Sequence, residues 1–185
     1  PGVVMLEDNA RPVPHMNEAV PAHDINSVWN NYGFDGKGSV IAVLDTGIRG
    51  DHEGLNDLDD DPFTCIDDPT DPLLNGTADC DPKIIAFYDA VSSDSEQPAG
   101  ESYESGTHGS HVAGIAAGTG GGQEAPDGTR YIGVAPGAYL INILACCEGD
   151  VEDIIEGAQW AIDNKAKYSI DVLTSSLGEQ QVEFH

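Results

Sequence analysis

The stretch S-V-I-A-V-L-D, residues 39–45, constrains the fold more than any other part of this chain. Its apolar residues run on without alternation, so a strand here must be covered on both faces, as in a parallel sheet flanked by helices. K-I-I-A-F-Y-D-A-V (83–91), A-Y-L-I-N-I-L-A (138–145) and I-D-V-L-T-S-S-L-G (170–178) repeat the pattern. Helical signals alternate with them. Residues 24–32 place Ile25, Val28 and Trp29 on one side and end at Gly33; small residues carry a second helix from the S-G-T-H-G-S-H-V-A-G run to about Gly118. The third and clearest spans 151–167, with Asp150 as cap, Asp153 as the capping-box acid, and Ile154, Ile155, Ala158, Ala161 and Ile162 as its buried stripe. Strands alternating with helices predict an α/β fold with a doubly wound parallel sheet.

Residues 1–22 carry four prolines and read as an extended arm or the tail of a preceding region; 23–185 form the folded unit. The glycine-rich run 118–128 is expected to be a surface loop. The chain begins at Pro1 and stops shortly after S-S-L-G, so it reads as a piece of a longer polypeptide. Such a piece would leave an apolar sheet edge open and be poorly stable alone. No apolar run approaches the length of a membrane span. Thirty-three acidic residues against seven basic ones give a net charge of −26, which repels nucleic acid and anionic membranes. Two readings of that charge stay open: a salt-rich setting or bound calcium, and a well-solvated acidic secreted protein. Cys65 and Cys80 flank an acidic, proline-containing loop; a disulfide between them would add roughly 3 kcal/mol and suit an extracellular protein. Cys146 and Cys147 are adjacent and read as small residues closing a strand.

Chemistry concentrates at the carboxyl ends of strands in folds of this class. Asp45 stands at one such end, before Thr46 and Gly47. A carboxylate there can hold an imidazole in one tautomer, or serve as a cap or turn former. His108 and His111 are three residues apart, separated by Gly-Ser, whereas helical metal pairs favour a four-residue spacing with an acid between. The small residues around them imply close backbone approach at a helix start. The geometry favoured is His108 reaching Asp45 as a general base, with His111 a satisfied buried histidine.

In order along the chain come V-I-A-V-L-D-T-G-I with His52 seven residues after Asp45, then G-T-H-G-S-H-V-A-G-I-A-A-G, G-V-A-P-G-A, I-I-E-G-A-Q-W-A-I and V-L-T-S-S-L-G. This series resembles the amino-terminal half of a subtilisin-like serine protease (subtilase) catalytic domain, over about residues 24–180. The resemblance implies a subtilisin-like sheet, incomplete because its carboxyl-terminal half lies outside this chain. It also implies a serine endopeptidase with an Asp-His-Ser triad, in which Asp45 orients His108. Ser176, Leu177 and Gly178 would form a wall of the specificity pocket. The segment from Ala145 through Cys147, Glu148 and Gly149 would pair with polypeptide substrate as an added β-strand. The first ten or so residues resemble the end of an inhibitory pro-region.

The chain also departs from the family pattern. It contains no G-T-S-small-A motif for the nucleophile and no A-G-N motif for the oxyanion hole, so this chain alone is expected to be inactive. Cys146, Cys147 and Glu148 stand where Gly and Ser are usual. Gly54 replaces a frequent calcium-binding carboxylate, and the glycine-rich run replaces the loop completing that site. Structural calcium therefore has no assigned ligands. Asp57, Asp59, Asp61 and Asp68 imitate an EF-hand spacing, but Pro62 occupies the glycine position. Two other classes remain: an aspartic protease, whose triplet is also D-T-G, and a pseudoprotease or calcium-loaded interaction domain of the same fold.

Overall fold

The computed structural model describes residues 16–55, 83–92, 95–97, 102–121, 131–146 and 151–178. Met16–Ala22 is helix α1, where the prolines suggested an extended arm. Pro21 lies near its end, so little of the helix is left to lose its bonding, and the helix stops one residue later. Helix α2, Ile25–Ser27, widens into a π-helical turn, Val28–Tyr32, that ends at Gly33 as expected. Trp29 fastens this turn by donating its indole N–H to Val134 O at 3.0 Å. Val28, expected on the inner side, is exposed.

The sheet contains β1 (Val40–Asp45), β2 (Ile84–Asp89), β3 (Ser95–Gln97), β4 (Tyr139–Leu144) and β5 (Ile170–Thr174), in the order β3-β2-β4-β1-β5. β1, β2, β4 and β5 run parallel, and β3 adds an antiparallel edge. The expected mixed α/β architecture is present. Strands β1, β2 and β4 are buried along nearly their whole length, which is why their apolar residues do not alternate.

Two apolar layers cover the two faces. On one, Val43, Ile84 and Leu140 meet Ala113 and Ala117 of helix α3 (Thr107–Ala117). On the other, Val40, Ala42, Leu44, Ile141 and Ile143 meet Ala161, Ile154, Ala158 and Trp160 of helix α4 (Val151–Asp163). Tyr88 stacks on Trp160 at 5.0 Å, and Trp160 packs on Tyr168 of the short helix α5 (Lys165–Tyr168).

The α4 stripe needs correction. Ile155 and Ile162 are exposed, and the buried side is completed by Gly157 and Trp160 instead. The helix also breaks at Asn164, whose side chain donates to Trp160 O and competes with continued helix. Strand β5, expected to run buried through residue 178, ends at Thr174 and exposes Val172 (49%) and Leu173 (41%). It is an edge of the described sheet, with β1 as its neighbour. The Asp171 carboxylate accepts a hydrogen bond from Val40 N–H (3.1 Å) where the β1–β5 register slips. β3 escaped the sequence reading because its three residues are polar; pairing with Phe87–Asp89 makes it a strand.

Candidate active site

The carboxyl ends of β1 and β4 lie side by side, with Asp45 opposite Leu144 and Ala145 N–H bonded to Asp45 O. The Asp45 side chain is completely buried, and His108, in the first turn of α3, is 53% exposed. Their side chains meet at 2.7 Å, His108 Nδ1 to Asp45 Oδ1. The same oxygen accepts the Thr46 N–H at 2.7 Å. An ionised carboxylate only accepts, so Nδ1 carries the proton and Nε2 is the acceptor, an assignment made from the bonding pattern. Asp45 Oδ2 is buried and has no partner among the described residues.

Thr46 makes this approach possible. Its hydroxyl donates to Gly106 O (2.7 Å) and accepts from Gly109 N–H (2.9 Å), tying the chain leaving β1 to the start of α3. Ser105 N–H adds a bond to Thr46 O at 2.8 Å. Gly109 is required by close packing: a Cβ there would lie 2.2 Å from Gly47 O and 3.1 Å from Asp45 Cβ. The small residues of the S-G-T-H-G-S-H run therefore let α3 press onto the β1 exit and bring imidazole to carboxylate.

His111 is exposed on α3, contrary to the buried position expected for it. Among the described residues no group of three or more His, Cys, Asp or Glu side chains could hold a metal ion. Gly54 has no side chain and so offers no carboxylate to a metal ion. The acidic loop with Asp57, Asp59, Asp61 and Asp68, and the Cys65–Cys80 pairing, lie outside the described residues.

Ser176 and Gly178 are exposed and Leu177 packs against the α4-side core, all beyond the end of β5. Cys147, Glu148, Gly149 and the Asp150 cap lie outside the described residues. Cys146 O accepts a hydrogen bond from Ser105 Oγ at 3.3 Å. Cys146 is disulfide-bonded, so it carries no free thiol to act as a nucleophile; its partner lies outside the described residues.

Sequence reasoning missed three participants. Asn142 is fully buried in β4 and donates to the loops on either side of the pair. The Tyr103 hydroxyl donates to Asp89 Oδ2 (2.9 Å). Ser110 accepts Arg49 N–H at 2.8 Å and donates to Glu104. Of these only Asn142 left a trace: one amide in the apolar run Y-L-I-N-I-L.

The family model described as the Subtilase family matches residues 36–184. The chain belongs to the subtilase family. It is 33% identical over 137 residues to Bacillopeptidase F of Bacillus subtilis (strain 168), covering 72% of this chain and 8% of that protein. It is 29% identical over 170 residues to the minor extracellular protease Vpr of the same bacterium, covering 89% of this chain and 17% of the relative. Among solved structures, the CspB protease of Clostridium perfringens superposes with a TM-score of 0.64 at 21% identity, over 90% of this chain and 35% of that one. This subtilase chain thus spans between 8% and 35% of the length of these three relatives. Its Asp45–His108 contact lies within the matched residues.

Proposed function

We propose that this chain supplies the aspartate and histidine of a serine-type endopeptidase, and that the nucleophilic serine is contributed by sequence outside it. The carrying observation is the 2.7 Å contact between a fully buried carboxylate and a half-exposed imidazole. Burial leaves Asp45 few partners other than His108 Nδ1 and Thr46 N–H, so the ring is held in one tautomer and orientation. Nε2 can then accept a proton from a serine hydroxyl during attack on a peptide carbonyl and return it to the leaving amine. The pair stabilises the imidazolium formed in between.

The substrate is a polypeptide. It binds in extended form along the segment after β4, from Ala145 through Cys147, Glu148 and Gly149, with Ser176, Leu177 and Gly178 walling the pocket for one side chain. The enzyme acts outside the cell; the name of the extracellular relative and the strongly acidic composition support this. Among the described residues no helix is long and apolar enough to cross a membrane. The first residues of the chain are read as the end of a pro-region.

The test uses the complete protein, assayed on an unfolded protein substrate and with a serine-directed phosphonylating reagent. Hydrolysis and labelling are expected in the unaltered protein, and both should collapse in His108→Ala. Full activity in that variant would refute the reading. Substrate binding without any hydrolysis would point to the pseudoprotease.

A further inference from the structure

We propose that Asn142 is a positioning residue for the Asp45–His108 pair; the inference rests on the peptidase reading above. Asn142 sits in the middle of β4, paired with Val43 of β1 and Phe87 of β2, with no exposed surface. An amide placed there costs about 1–3 kcal/mol unless it is hydrogen-bonded. All its bonds come from one end. Nδ2 approaches Ser102 Oγ at 2.9 Å, Tyr103 O at 3.0 Å and Ile48 O at 3.3 Å, while Oδ1 has no partner among the described residues. The fold thus accommodates an unpaired carbonyl oxygen for the sake of the two N–H groups.

The acceptors explain why. Ile48 lies on the loop leaving β1, just past Asp45, and Ser102 and Tyr103 lie on the segment entering α3, just before His108. One buried amide therefore clasps the two backbone stretches that carry the two halves of the pair. Other bonds close the same junction. Ser102 Oγ donates to Ile48 O (2.9 Å), and Gly50 N–H donates to Ser102 O (3.2 Å). Tyr103 is held from β2 by its hydroxyl bond to Asp89 and by edge-on packing against Phe87 at 5.3 Å. Thr46 and Ser105 fasten the two stretches at the rim. Asn142 fastens them from the sheet interior, on the side of the sheet where α3 packs.

Substituting Leu for Asn142 keeps the branching at Cγ in a bulkier, apolar side chain that suits the core, but strips Ile48 O and Tyr103 O of a donor. The two loops then lose their tie from the sheet interior and can shift relative to each other, and small displacements between reacting groups cost on the order of 10²-fold in rate. Asn142→Leu and Asn142→Asp are made in the complete protein, and active sites are counted with a serine-directed titrant. The expected result is kcat per titrated site reduced about 10- to 100-fold with KM within about twofold. Should either variant fail to fold, Ser102→Ala removes one acceptor at a half-buried position and is expected to show a smaller fall of the same kind. Wild-type kcat per titrated site in the variants, with only the melting temperature lowered, overturns the proposal. Activity that survives His108→Ala, or no hydrolysis by the unaltered protein, overturns the peptidase reading itself and this inference with it.

Discussion

The two faces of the sheet are built from different chemistry. The α4 face is dry: Val40, Ala42, Leu44, Ile141 and Ile143 meet Ala161 and the Tyr88–Trp160–Tyr168 stack. The α3 face carries a comparable apolar layer, but it also bears Asn142 midway along β4 and Asp45 and Asp89 at strand ends, all buried. Each is used to hold the backbone or side chain of the segments around α3. A dry face contributes stability in proportion to area and tolerates rearrangement. A polar face specifies geometry, because each unpaired group would cost about 1–3 kcal/mol. Both faces of the sheet carry an apolar layer, but the candidate chemistry stands on the α3 face alone.

That division can be broken deliberately. The largest effect is expected from Asp45→Asn in the complete protein, which preserves shape but removes the negative charge that stabilises the imidazolium formed during turnover. Steady-state kinetics should show kcat lower by about 10⁴-fold, with little change in melting temperature. Next comes a matched pair of glycines. Gly109→Ala drives a methyl into the Gly47 carbonyl, so backbone must move between Asp45 and His108, and kcat should fall about 10²-fold. Gly157→Ala, whose added carbon meets Ile143 Cγ2 at 2.8 Å, should cost about 1–2 kcal/mol of stability in chemical denaturation and leave kcat per active site unchanged.

Trp160→Ala should likewise lower stability, by about 3 kcal/mol, without altering kcat at temperatures where the protein is folded. If it lowers kcat tenfold, the two faces are coupled.

The smallest effect is electrostatic. Burial pushes the Glu96 carboxyl up, but hydrogen bonds from Tyr168 and Lys167 outweigh it and hold the group below its ordinary value. A depressed carboxyl contributes stability above its unfolded-state pKa and loses it as pH falls through the lower, folded-state value. Acid titration below the ordinary value of 4.5 should therefore loosen β3 from α5. With both partners more than a third exposed, the loss should stay below about 1 kcal/mol and shrink with salt. Lys167→Met should abolish most of this acid dependence in thermal melts.

Much of the fold was legible because burial on both faces writes itself into sequence as unbroken apolar runs. β1, β2 and β4 were found that way, and α3 by its small residues around His108. Asp45 and His108 could be paired because a strand-end carboxylate and a glycine-flanked histidine imply a close approach. The errors share another cause. β5, Ile155, Ile162 and His111 have local patterns that say buried, and it is the set of neighbours in space that leaves them exposed. β3 is a strand only because β2 offers it an unpaired edge.

The amino-acid order by itself determined the class of sheet, the helix that carries His108 and the carboxylate and imidazole that come into contact, since these follow from periodicity and residue size along the chain. Tertiary structure alone decided that Asn142 would face the α3 loops, that Thr46 would bridge Gly106 and Gly109, and that a single Asp45 oxygen would take both the imidazole and the Thr46 N–H. Those outcomes depend on distances between residues far apart in sequence, and hydrogen bonds are satisfied by position in space, which no local pattern encodes.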